Sequence, residues 1–582
     1  MTKIMTSAQM SAVERAAIES GEVTGLELME QAGQGVVDAI YEHWSDIELV
    51  NYRTGGSNSG LTLKNSRWAV ILCGPGNNGG DGYVVARLLR GMGWAVSVLA
   101  LGDPQKLPPD ALSNYKRWQE IGSVSDLSRE TFKDISNPSD GDGPDLYIDA
   151  LFGTGIKRPI TGVARQVLAD LARQPETGAA ARIVSIDAPS GLCLDSGRLL
   201  GHDGGYGTDT ARFAGLTVAF DSPKLGHFLA DGPALCGRLV VKDIGLGNWR
   251  HRILDREAVM LLDRPRDARA SVANPAAVAL PEKSNHQNSR RQAHKFSYGH
   301  ALVLSGGSGQ TGAARLAARG ALRIGAGLVT LAVPPEAMTE VAQQVTAVMV
   351  RKIRDADDLS DLLHDRRLTA LCLGPGLGLT DHCAALVRAA LQAKRATVLD
   401  ADALTLLARD AGLRDLLHES CVLTPHAGEF SRLFPSLYER WVNSHPYNAD
   451  PGLAGVSNDS QTPEKMTGPA FSKVDAVREA AQQVGCTILL KGQDTVIAVP
   501  SGEIGIHASV YERAAPWLAT AGSGDVLAGF ITGLLAMGRS EFGAAATGAW
   551  MHAEAARSFG PGLVAEDLPE QVPRVLQNLS RI

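Results

Sequence analysis

Short apolar runs that recur between helical stretches constrain the fold of this chain most. The first half carries five near-continuous apolar runs, at 68–73, 95–101, 145–152, 181–188 and 216–220. Helix candidates such as Gly82–Gly91 and Thr161–Arg173 lie between them. Runs of this kind are typical of strands buried on both faces of a parallel sheet. The alternation therefore predicts an α/β domain, a three-layer sandwich of sheet and helices.

The same alternation restarts in the second half, with apolar runs at 300–306, 328–333, 370–376, 396–402, 421–426, 487–492 and 495–500. Between the halves, residues 264–296 show no period and are rich in Pro, Ala, Asn and basic residues, as linkers are. We therefore predict one domain at 1–263 and a second at 297–582. Two long polar segments, 44–66 and 435–472, are predicted to be loop insertions.

Composition and charge exclude several classes of protein. The 56 Lys and Arg against 63 Asp and Glu give a net charge of −7, which disfavours a nucleic-acid or membrane-surface binder. The longest uncharged apolar run, 526–538, is too short to span a membrane. The N-terminus has no apolar signal core and predicts a helix capped by Thr6 and Gln9. Seven scattered cysteines without a CxxC pair favour reduced, buried thiols, so we expect a cytoplasmic protein.

A glycine-rich turn, GPGNNGGDG at 74–82, follows the first apolar run. Gly74, Gly76 and Gly79 have the spacing that lets a backbone approach a phosphate at a helix N-terminus. A dinucleotide dehydrogenase also needs an acidic residue about 20 positions later, at the end of the second strand. The first acid here is Asp103, beyond that strand, so the oxidoreductase interpretation is disfavoured. Two amides and a carboxylate between the glycines indicate ligand contact rather than a plain turn.

Three further turns follow predicted strand ends, at 149–159, 185–191 and 221–226. Open α/β sheets bind ligands at the carboxyl ends of their strands. Asp149 and Asp187 are therefore either helix N-caps or, together with Ser190 and Asn78, oxygen ligands of a hard or monovalent cation. The turns also carry basic side chains that are either solvated or contacts for an anionic ligand: Lys157, Arg158 and Lys224.

The motifs NNGGDG, YIDALFGTG and SIDAPSG, in this order, resemble the epimerase domain of the NAD(P)H-hydrate repair enzymes over about residues 1–250. The resemblance implies a Rossmann-like fold that interconverts the R and S forms of hydrated NADH and NADPH by acid/base chemistry at nicotinamide C6. It implies contacts to the hydrated dinucleotide from Asn77, Asn78, Gly79, Gly80, Asp81, Gly153, Thr154, Gly155, Ile156, Lys157, Arg158, Pro159 and Asp187. It implies potassium on Asn78, Asp149 and Ser190. Asp187 is the first candidate for the acid/base group and Lys157 the second.

The turn TAGSGD at 520–525 is the strongest motif of the second half, since an apolar helical stripe follows it. Its backbone N–H groups, at a helix N-terminus, are suited to a transferring phosphoryl group. Asp525 is then the base that deprotonates a hydroxyl; the alternative is an acid that only complements the helix dipole. The turn SGGSGQTGAA at 305–314 has Walker A glycine spacing, but Ala313-Ala314 replace Lys-Ser/Thr and exclude a P-loop.

Two more turns complete this set. KGQDT at 491–495 joins two predicted strands and is either a nucleotide phosphate contact or a plain hairpin. TPHAGE at 424–429 ends another strand at the same predicted sheet edge, and its His426 is either a ligand contact or a surface histidine.

A late GxGD turn resembles the ribokinase-like kinases, and the full set of turns resembles the ADP/ATP-dependent NAD(P)H-hydrate dehydratases over about residues 295–580. The resemblance implies that Ala313, Gly378, His426 and Asp525 contact the hydrated dinucleotide. It implies adenine-nucleotide contacts from Lys491, Gly492, Gln493, Asp494, Thr495 and Gly524. Phosphoryl transfer then makes phosphate the leaving group at C6, and magnesium is expected with the nucleotide.

The leading hypothesis is a fused, homo-oligomeric repair enzyme whose only partners are small molecules. It epimerises hydrated NAD(P)H and dehydrates the S form with ADP, which yields AMP and phosphate. The alternative is a ribokinase-like kinase of small-molecule hydroxyls fused to a non-catalytic Rossmann-like binding domain. That alternative predicts a stable phosphorylated product.

Overall fold

The computed structural model describes residues 2–44, 67–136, 143–173, 182–200, 214–253, 258–262, 294–442 and 470–580. The chain forms two compact units. The first unit comprises Ile4–Asp255 and Val442–Ser472, and the second comprises Met1–Lys3, Arg256–Trp441 and Lys473–Ile582. Most of the predicted linker and insertions, at 264–293, 45–66 and 443–469, lies outside the described residues.

Strand β1 (Thr2–Ile4) opens the chain and belongs to the sheet of the second unit. The first unit then contains, in order, α1 (Ser7–Glu19), α2 (Gly25–His43), β2 (Trp68–Cys73), α3 (Asn77–Gly91), β3 (Ala95–Ala100), α4 (Pro109–Gln119), β4 (Val124–Asp126), α5 (Arg129–Ser136), β5 (Leu146–Ala150), α6 (Gly162–Leu171), β6 (Arg182–Ile186), β7 (Leu216–Phe220), α7 (Gly232–Cys236), β8 (Arg238–Lys242) and α8 (Gly247–Ile253). The predicted cap of α1 is confirmed: Thr6 and Gln9 form a capping box.

The seven strands of the first unit form one parallel sheet in the order β4-β3-β2-β5-β6-β7-β8. The chain leaves in opposite directions from β2 and β5, so a crevice opens at the carboxyl ends of this strand pair. Cys73 and Ala150 face each other across the pair at its last register position. The turns that follow β2 and β5 therefore start side by side, as the turn motifs require.

Two glycines of the turn after β2 are required by close backbone packing. A Cβ at Gly74 would overlap the carbonyl oxygen of Leu151, which follows β5. A Cβ at Gly79 would in turn overlap the carbonyl oxygen of Gly74. A Cβ at Gly76, by contrast, would meet nothing within 4 Å. Gly74 and Gly79 thus bring the two turns together, whereas the backbone at Gly76 is open to a ligand.

The second unit contains, in order, β9 (Val259–Leu261), β10 (His300–Leu304), α9 (Gly312–Ile324), β11 (Leu328–Val333), α10 (Met338–Gln344), β12 (Met349–Lys352), α11 (Ala356–Leu363), β13 (Ala370–Leu373), α12 (Asp381–Gln392), β14 (Ala396–Leu399), α13 (Ala401–Arg409), α14 (Ala411–Arg414), β15 (Cys421–Leu423), α15 (Ala427–Leu433), α16 (Pro435–Val442), α17 (Lys473–Val484), β16 (Thr487–Leu490), β17 (Asp494–Ala498), β18 (Ile504–Ala508), α18 (Ser523–Ala536), α19 (Glu541–Phe559) and α20 (Asp567–Ser580). Its sheet has eleven strands, in the order β1-β9-β18-β17-β16-β15-β14-β13-β10-β11-β12. The strands from β12 to β16 pair in parallel, and β16, β17 and β18 pair antiparallel.

Helix α18 packs against α9 through small residues, which fixes the turn at its N-terminus. A Cβ at Gly529 would overlap the carbonyl oxygen of Ala317 on α9. One turn later, a Cβ at Gly533 would lie 2.6 Å from the carbonyl oxygen of Ala321. Helix α18 also packs on β13 and β14. The predicted helix after the TAGSGD turn is therefore confirmed, and its first turn lies on a rigid support.

The predicted fold class, two α/β units with parallel sheets, is confirmed, but the structure draws two boundaries differently. Strand β9 falls inside the predicted first domain, yet Met260 pairs with Gly505 of β18, so the sequence 256–263 belongs to the second unit, as Met1–Lys3 does. The predicted loop insertion at 435–472 begins with a helix, α16. Pro435 suits the first position of a helix, and the side chain of Leu437 in this helix is buried.

Two expectations from composition concern the cysteines and membrane-spanning helices. All seven cysteines are free and buried, as predicted. In the described part of the chain, no helix combines the length and the apolar character that crossing a membrane requires.

Candidate active sites

The first unit contains a cavity of about 910 Å³ at the carboxyl end of its sheet. Its wall comes from α1, from the turn after β2, from the loop after β5 and from the turns after β6 and β7. Most of the predicted substrate contacts line it: Asn77, Asn78, Asp81, Gly153, Thr154, Gly155, Ile156, Lys157, Arg158, Pro159 and Asp187. Gly79 and Gly80 are buried, and Gly80 packs against the side chain of Met29 instead.

Asp187 is held rigidly at the wall of this cavity. Its backbone lies in the left-handed region, with φ of 62°, which is uncommon for a residue with a side chain. One carboxylate oxygen accepts hydrogen bonds from the backbone N–H of Thr154, at 3.1 Å, and from the Thr154 hydroxyl. The other oxygen accepts from the Lys224 ammonium at 2.8 Å. Burial acts to raise the pKa of Asp187, but Lys224 and these hydrogen bonds outweigh it, so the pKa lies below its ordinary value.

Lys224 pairs with the Asp187 carboxylate. Its side chain is 0% exposed, so the solvated alternative is wrong, whereas contact with an anionic ligand stays a prediction. Its ammonium also donates to the carbonyl oxygen of Phe220 at 3.0 Å. His227 accepts from the Lys224 backbone N–H through Nδ1 and donates from Nε2 to the Asp187 carbonyl at 2.9 Å. Burial lowers the pKa of His227 to about 4, so it is neutral and supports the turn.

Asp149 and Ser190, two of the predicted potassium ligands, lie together. The Ser190 hydroxyl donates to Asp149 Oδ1 at 2.6 Å, and the Ser190 backbone N–H donates to Oδ2 at 2.8 Å. Asp149 is fully buried, and within the described residues no basic side chain pairs with it. Burial raises the pKa of Asp149 to about 6. A buried carboxylate that lacks a cation, beside a hydroxyl oxygen, is a donor set that suits a hard monovalent cation.

Asn78, the third predicted potassium ligand, approaches the same loop. A Cβ at Gly153 would lie 2.8 Å from Asn78 Oδ1 and 3.4 Å from Asp187 Oδ2, so both oxygens face Gly153. The Asn78 amide nitrogen is buried and has no hydrogen-bond partner among the described residues. An unpaired buried donor in the cavity wall is available to a polar ligand atom.

Two acidic groups of the cavity have raised pKa values. Glu14, on α1, was not predicted, because nothing in the local sequence of an amphipathic helix marks it. Burial raises its pKa to about 7. Burial, Asp187 and Glu14 together raise the pKa of Asp81 well above its ordinary value. The cavity therefore combines one carboxylate whose pKa is lowered, Asp187, with two carboxyl groups whose pKa values are raised, Glu14 and Asp81.

The second unit brings Asp525 and Lys491 to one site. Gly522, in the left-handed conformation, caps α18, and Gly524 and Asp525 lie in its first turn. A Cβ at Gly524 would lie 3.5 Å from the Lys491 ammonium. Burial, together with Asp400, raises the pKa of half-buried Asp525 to about 6. The site thus places a carboxyl group, an ammonium and the free N–H groups of a helix N-terminus side by side.

Lys491 is oriented by two acidic residues, Asp400 directly after β14 and Glu429 in the first turn of α15. Its ammonium donates to Asp400 Oδ1 at 2.6 Å and lies 4.0 Å from Glu429 Oε2. Burial acts to lower the pKa of Lys491, but Asp400 outweighs it and the pKa is raised. Asp402 accepts from the backbone N–H of Gly378 at 2.8 Å. Glu429 was not among the predicted contacts, although it ends the TPHAGE turn, whereas the sequence 400–402 was expected at the rim of the site.

His426 caps α15 rather than lying free on the surface. Its Nδ1 accepts from the backbone N–H groups of Gly428 at 3.0 Å and of Glu429 at 3.3 Å. The Glu429 carboxylate closes the capping box by accepting from the His426 N–H at 2.8 Å. These bonds make Nδ1 the acceptor of the ring, while the side chain is 57% exposed. His426 therefore presents Nε2 to its surroundings.

The remaining predicted contacts of the second unit fall into two groups. In the turn before β17, Asp494 accepts from the Lys473 ammonium at 2.6 Å, and the Thr495 hydroxyl donates to the Gly492 carbonyl at 2.8 Å. These two side chains stabilise the turn, whereas Gln493 is exposed. Ala313 lies beside the turn that contains Gly378, since a Cβ at Gly376, two residues earlier, would lie 3.5 Å from Ala313 Cβ.

Comparisons with known proteins follow the division into two units. A family model described as YjeF-related protein N-terminus matches residues 25–226, and one described as NAD(P)H-hydrate dehydratase matches residues 301–577. The bifunctional NAD(P)H-hydrate repair enzyme Nnr of Moorella thermoacetica is 33% identical over 99% of this chain and 97% of its own length. The NAD(P)H-hydrate epimerase of Roseobacter litoralis is 40% identical over 42% of this chain and 100% of its own length.

One solved structure is the ADP/ATP-dependent NAD(P)H-hydrate dehydratase of Bacillus subtilis, co-crystallised with ATP/Mg²⁺. It is 25% identical, covers 51% of this chain and 94% of its own, and has a TM-score of 0.38.

The folds and sites define a fused α/β enzyme, with an acid/base cavity in one unit and a carboxyl group at a helix N-terminus in the other. The similarity to the repair enzymes along the whole chain identifies the family. The chain belongs to the bifunctional NAD(P)H-hydrate repair enzymes, with an epimerase unit followed by a dehydratase unit. This assignment favours the leading hypothesis over a hydroxyl kinase fused to a binding module.

Proposed function

We propose that the first unit epimerises hydrated NAD(P)H at C6 in its cavity and that the second unit removes the hydroxyl of the S form by phosphoryl transfer from ADP. One observation supports each of these two proposed activities. In the first unit it is the ionised Asp187 in the wall of the cavity, which the open backbone of Gly76 also lines. In the second unit it is the position of Asp525 and Lys491 at the N-terminus of α18.

In the epimerase unit, charge complementarity supports the proposed contacts. Lys157 and Arg158 are exposed at the mouth of the cavity, where a dinucleotide's phosphates need cations. Asp187 is the proposed group that stabilises positive charge on the reduced ring, because its carboxylate stays ionised. Lys157, an exposed lysine at the mouth, is better suited to phosphate contact than to acid/base work.

Potassium fits the oxygen donors of the epimerase unit. The uncompensated carboxylate of Asp149 and the hydroxyl of Ser190 would hold it, and Asn78 Oδ1 would be the third protein ligand. When bound, the ion supplies positive charge next to the cavity. Asp149 would then be ionised, and the Ser190 hydroxyl oxygen, which also accepts from the Phe152 N–H at 2.9 Å, would link the ion to the loop after β5.

In the dehydratase unit, Asp525 accepts the proton of the C6 hydroxyl as its oxygen attacks the terminal phosphorus of the nucleotide. The N–H groups of the first turn of α18 stabilise the charge that develops on the phosphoryl oxygens. Lys491, held by Asp400, neutralises the same charge. The phosphate leaves C6 with the bonding electron pair as the ring nitrogen's lone pair forms the N1=C6 double bond. C5 then loses a proton to solvent, and its bonding pair forms the C5=C6 double bond and returns the lone pair to N1, which restores the reduced nicotinamide.

Magnesium would enter with the nucleotide phosphates. Among the described residues, no group of three or more His, Cys, Asp or Glu side chains is placed to hold a metal ion. A magnesium ion bound mainly by phosphates and water needs only one or two protein carboxylates. When bound, it neutralises phosphate charge, while Asp400 and Lys491 orient the phosphate-donating nucleotide.

The test uses the full chain and the purified R and S forms of hydrated NADH separately. With ADP, the S form must regain absorbance at 340 nm through the dehydratase unit alone, whereas the R form needs both units. Asp525→Asn is expected to abolish recovery from both forms, and Asp187→Asn to slow recovery from the R form only. Asp381→Asn, the same exchange in the exposed first turn of α12, is the matched control.

A stable phosphorylated product without 340-nm recovery, detected by mass spectrometry, would refute the dehydratase assignment and support a kinase. Replacing ADP by ATP in the same assay identifies the preferred donor. The expected homo-oligomer and cytoplasmic location remain predictions, and light scattering of the purified chain checks the oligomer.

A further inference from the structure

A carboxyl group on α1 faces the epimerase cavity without a partner. Glu14 lies two turns into the helix and lines the cavity together with Met10, Ser11 and Ile18 of the same helix face. It is half-buried. Within the residues that the structure describes, its carboxylate makes no hydrogen bond and no ion pair. A side chain of this kind is free to exchange a proton with a bound molecule.

Asp187, by contrast, is poorly suited to donating a proton. Its two carboxylate oxygens accept three hydrogen bonds, two from Thr154 and one from the Lys224 ammonium. Protonation would break the charge pair with Lys224, whose side chain is completely buried. Asp187 therefore supplies fixed negative charge, and epimerisation needs a second, proton-carrying group.

We propose that Glu14 is the general acid of the epimerase cavity; this inference rests on the proposed epimerase function. Glu14 donates its proton to the C6 hydroxyl as the C6–O bond breaks, and the oxygen leaves as water with the bonding electron pair. The lone pair of ring nitrogen N1 forms the N1=C6 double bond, and Asp187 stabilises the resulting cation. Water then adds to the opposite face of C6, and N1 regains its lone pair. The proton that this water releases passes to solvent, and Glu14 is reprotonated from solvent.

The electrostatic surroundings of Glu14 support this role. Burial raises its pKa to about 7 against the opposing effect of the Lys224 ammonium, and the carboxylates of Asp187 and Asp221 raise it further. Asp81 lines the same cavity, and burial raises its pKa well above its ordinary value. One cavity thus pushes the pKa values of Glu14 and Asp187 in opposite directions, the arrangement by which enzymes assign one carboxyl as acid and another as anion.

The decisive variant is Glu14→Gln in the full chain, because glutamine preserves size and polarity but carries no exchangeable acid. With ADP, recovery of 340-nm absorbance from the R form, corrected for spontaneous epimerisation, is expected to fall by about 10²- to 10⁴-fold in kcat with little change in KM. Recovery from the S form stays at the wild-type rate. Glu19→Gln, on the exposed end of the same helix, is the matched control and leaves both rates unchanged.

The pH profile separates proton transfer from a structural effect. The wild-type epimerisation rate is expected to fall as pH rises through about 7, because Glu14 loses its proton there. Glu14→Gln must lose this alkaline limb, and Glu14→Asp must keep it at a reduced rate. Hydrogen exchange of peptides from β5 and β6, unchanged from wild type, verifies that the first unit of each variant is folded.

Three results overturn the inference. One is an R-form rate for Glu14→Gln within about threefold of wild type, well short of the loss expected for a general acid. Another is an alkaline limb that persists in Glu14→Gln. The third is a raised KM with unchanged kcat, which would make Glu14 a binding residue only. A wild-type chain that dehydrates the S form but never accelerates conversion of the R form would instead refute the proposed epimerase function itself.

Discussion

Replacing Lys224 by methionine isolates the contribution of the buried ion pair in the epimerase cavity. The lysine side chain is 0% exposed, and its ammonium lies 2.8 Å from Asp187 Oδ1 and 3.0 Å from the Phe220 carbonyl oxygen. Methionine fills a similar volume but leaves the Asp187 carboxylate buried without a counter-charge. Removing one partner of such a pair costs about 3–5 kcal/mol, so we expect the first unit to lose that much unfolding free energy at neutral pH.

The loss of unfolding free energy in Lys224→Met must decrease as pH falls. In the wild type the folded pKa of Asp187 lies below its ordinary value, so the pair contributes at neutral pH and that contribution disappears as pH falls through the folded pKa. In Lys224→Met only burial and the Thr154 hydrogen bonds remain, and burial raises the pKa of the carboxyl. Protonation then relieves the buried charge, so the difference in unfolding free energy from the wild type shrinks as pH falls.

Urea unfolding followed by hydrogen exchange of peptides from β6 and β7 measures the first unit alone. The double variant Asp187→Asn with Lys224→Met replaces the pair by neutral groups and is expected to recover most of the loss. Two outcomes would contradict the reasoning: a Lys224→Met chain as stable as wild type at neutral pH, or a double variant as unstable as the single one.

Three other predictions concern the catalytic base, the helix packing and the cation. Dehydration of the S form should slow as pH falls below about 6, because burial raises the pKa of Asp525 to about that value; Asp525→Asn should lower the rate about 10²- to 10⁴-fold in the 340-nm assay. Gly529→Ala should destabilise the second unit by about 1–3 kcal/mol in urea unfolding, because the methyl group overlaps the Ala317 carbonyl. Ser190→Ala should remove the dependence of R-form conversion on potassium, measured by exchanging KCl for LiCl, and should leave S-form conversion unchanged.

The sheet strands that are apolar on both faces were predictable, and those at the edges were not. β2, β7 and β11 lie where the apolar runs predict them. β4 reads Val-Ser-Asp and β12 carries exposed residues, since an edge strand needs burial on fewer sides and leaves a weaker pattern. Their membership in the sheets depends on pairing with a neighbour, which is a tertiary property.

Most turns of both sites were predictable because they follow strand ends of a parallel sheet, where the fold brings such turns together. The TAGSGD turn follows no strand directly and was marked instead by its glycines and by the apolar helix after it. The partners from elsewhere were not. Glu14 reaches its cavity from a helix whose own sequence explains its capping but not its position over the sheet. The pairing of Lys224 with Asp187 joins residues 37 positions apart, and no local pattern distinguishes a buried ammonium from a solvated one. The roles assigned to all of these residues remain predictions.

The left-handed backbone at Asp187 has a consequence for how this position is probed and varied. Aspartate and asparagine enter that conformation more readily than alanine or a β-branched residue, because their short polar side chains bond to nearby backbone. An alanine exchange would therefore distort the loop and delete the charge at once, whereas asparagine deletes the charge alone. The backbone conformation and the need for a negative charge thus each restrict which residues position 187 tolerates. An inactive alanine variant there would not show whether the carboxylate takes part in the reaction.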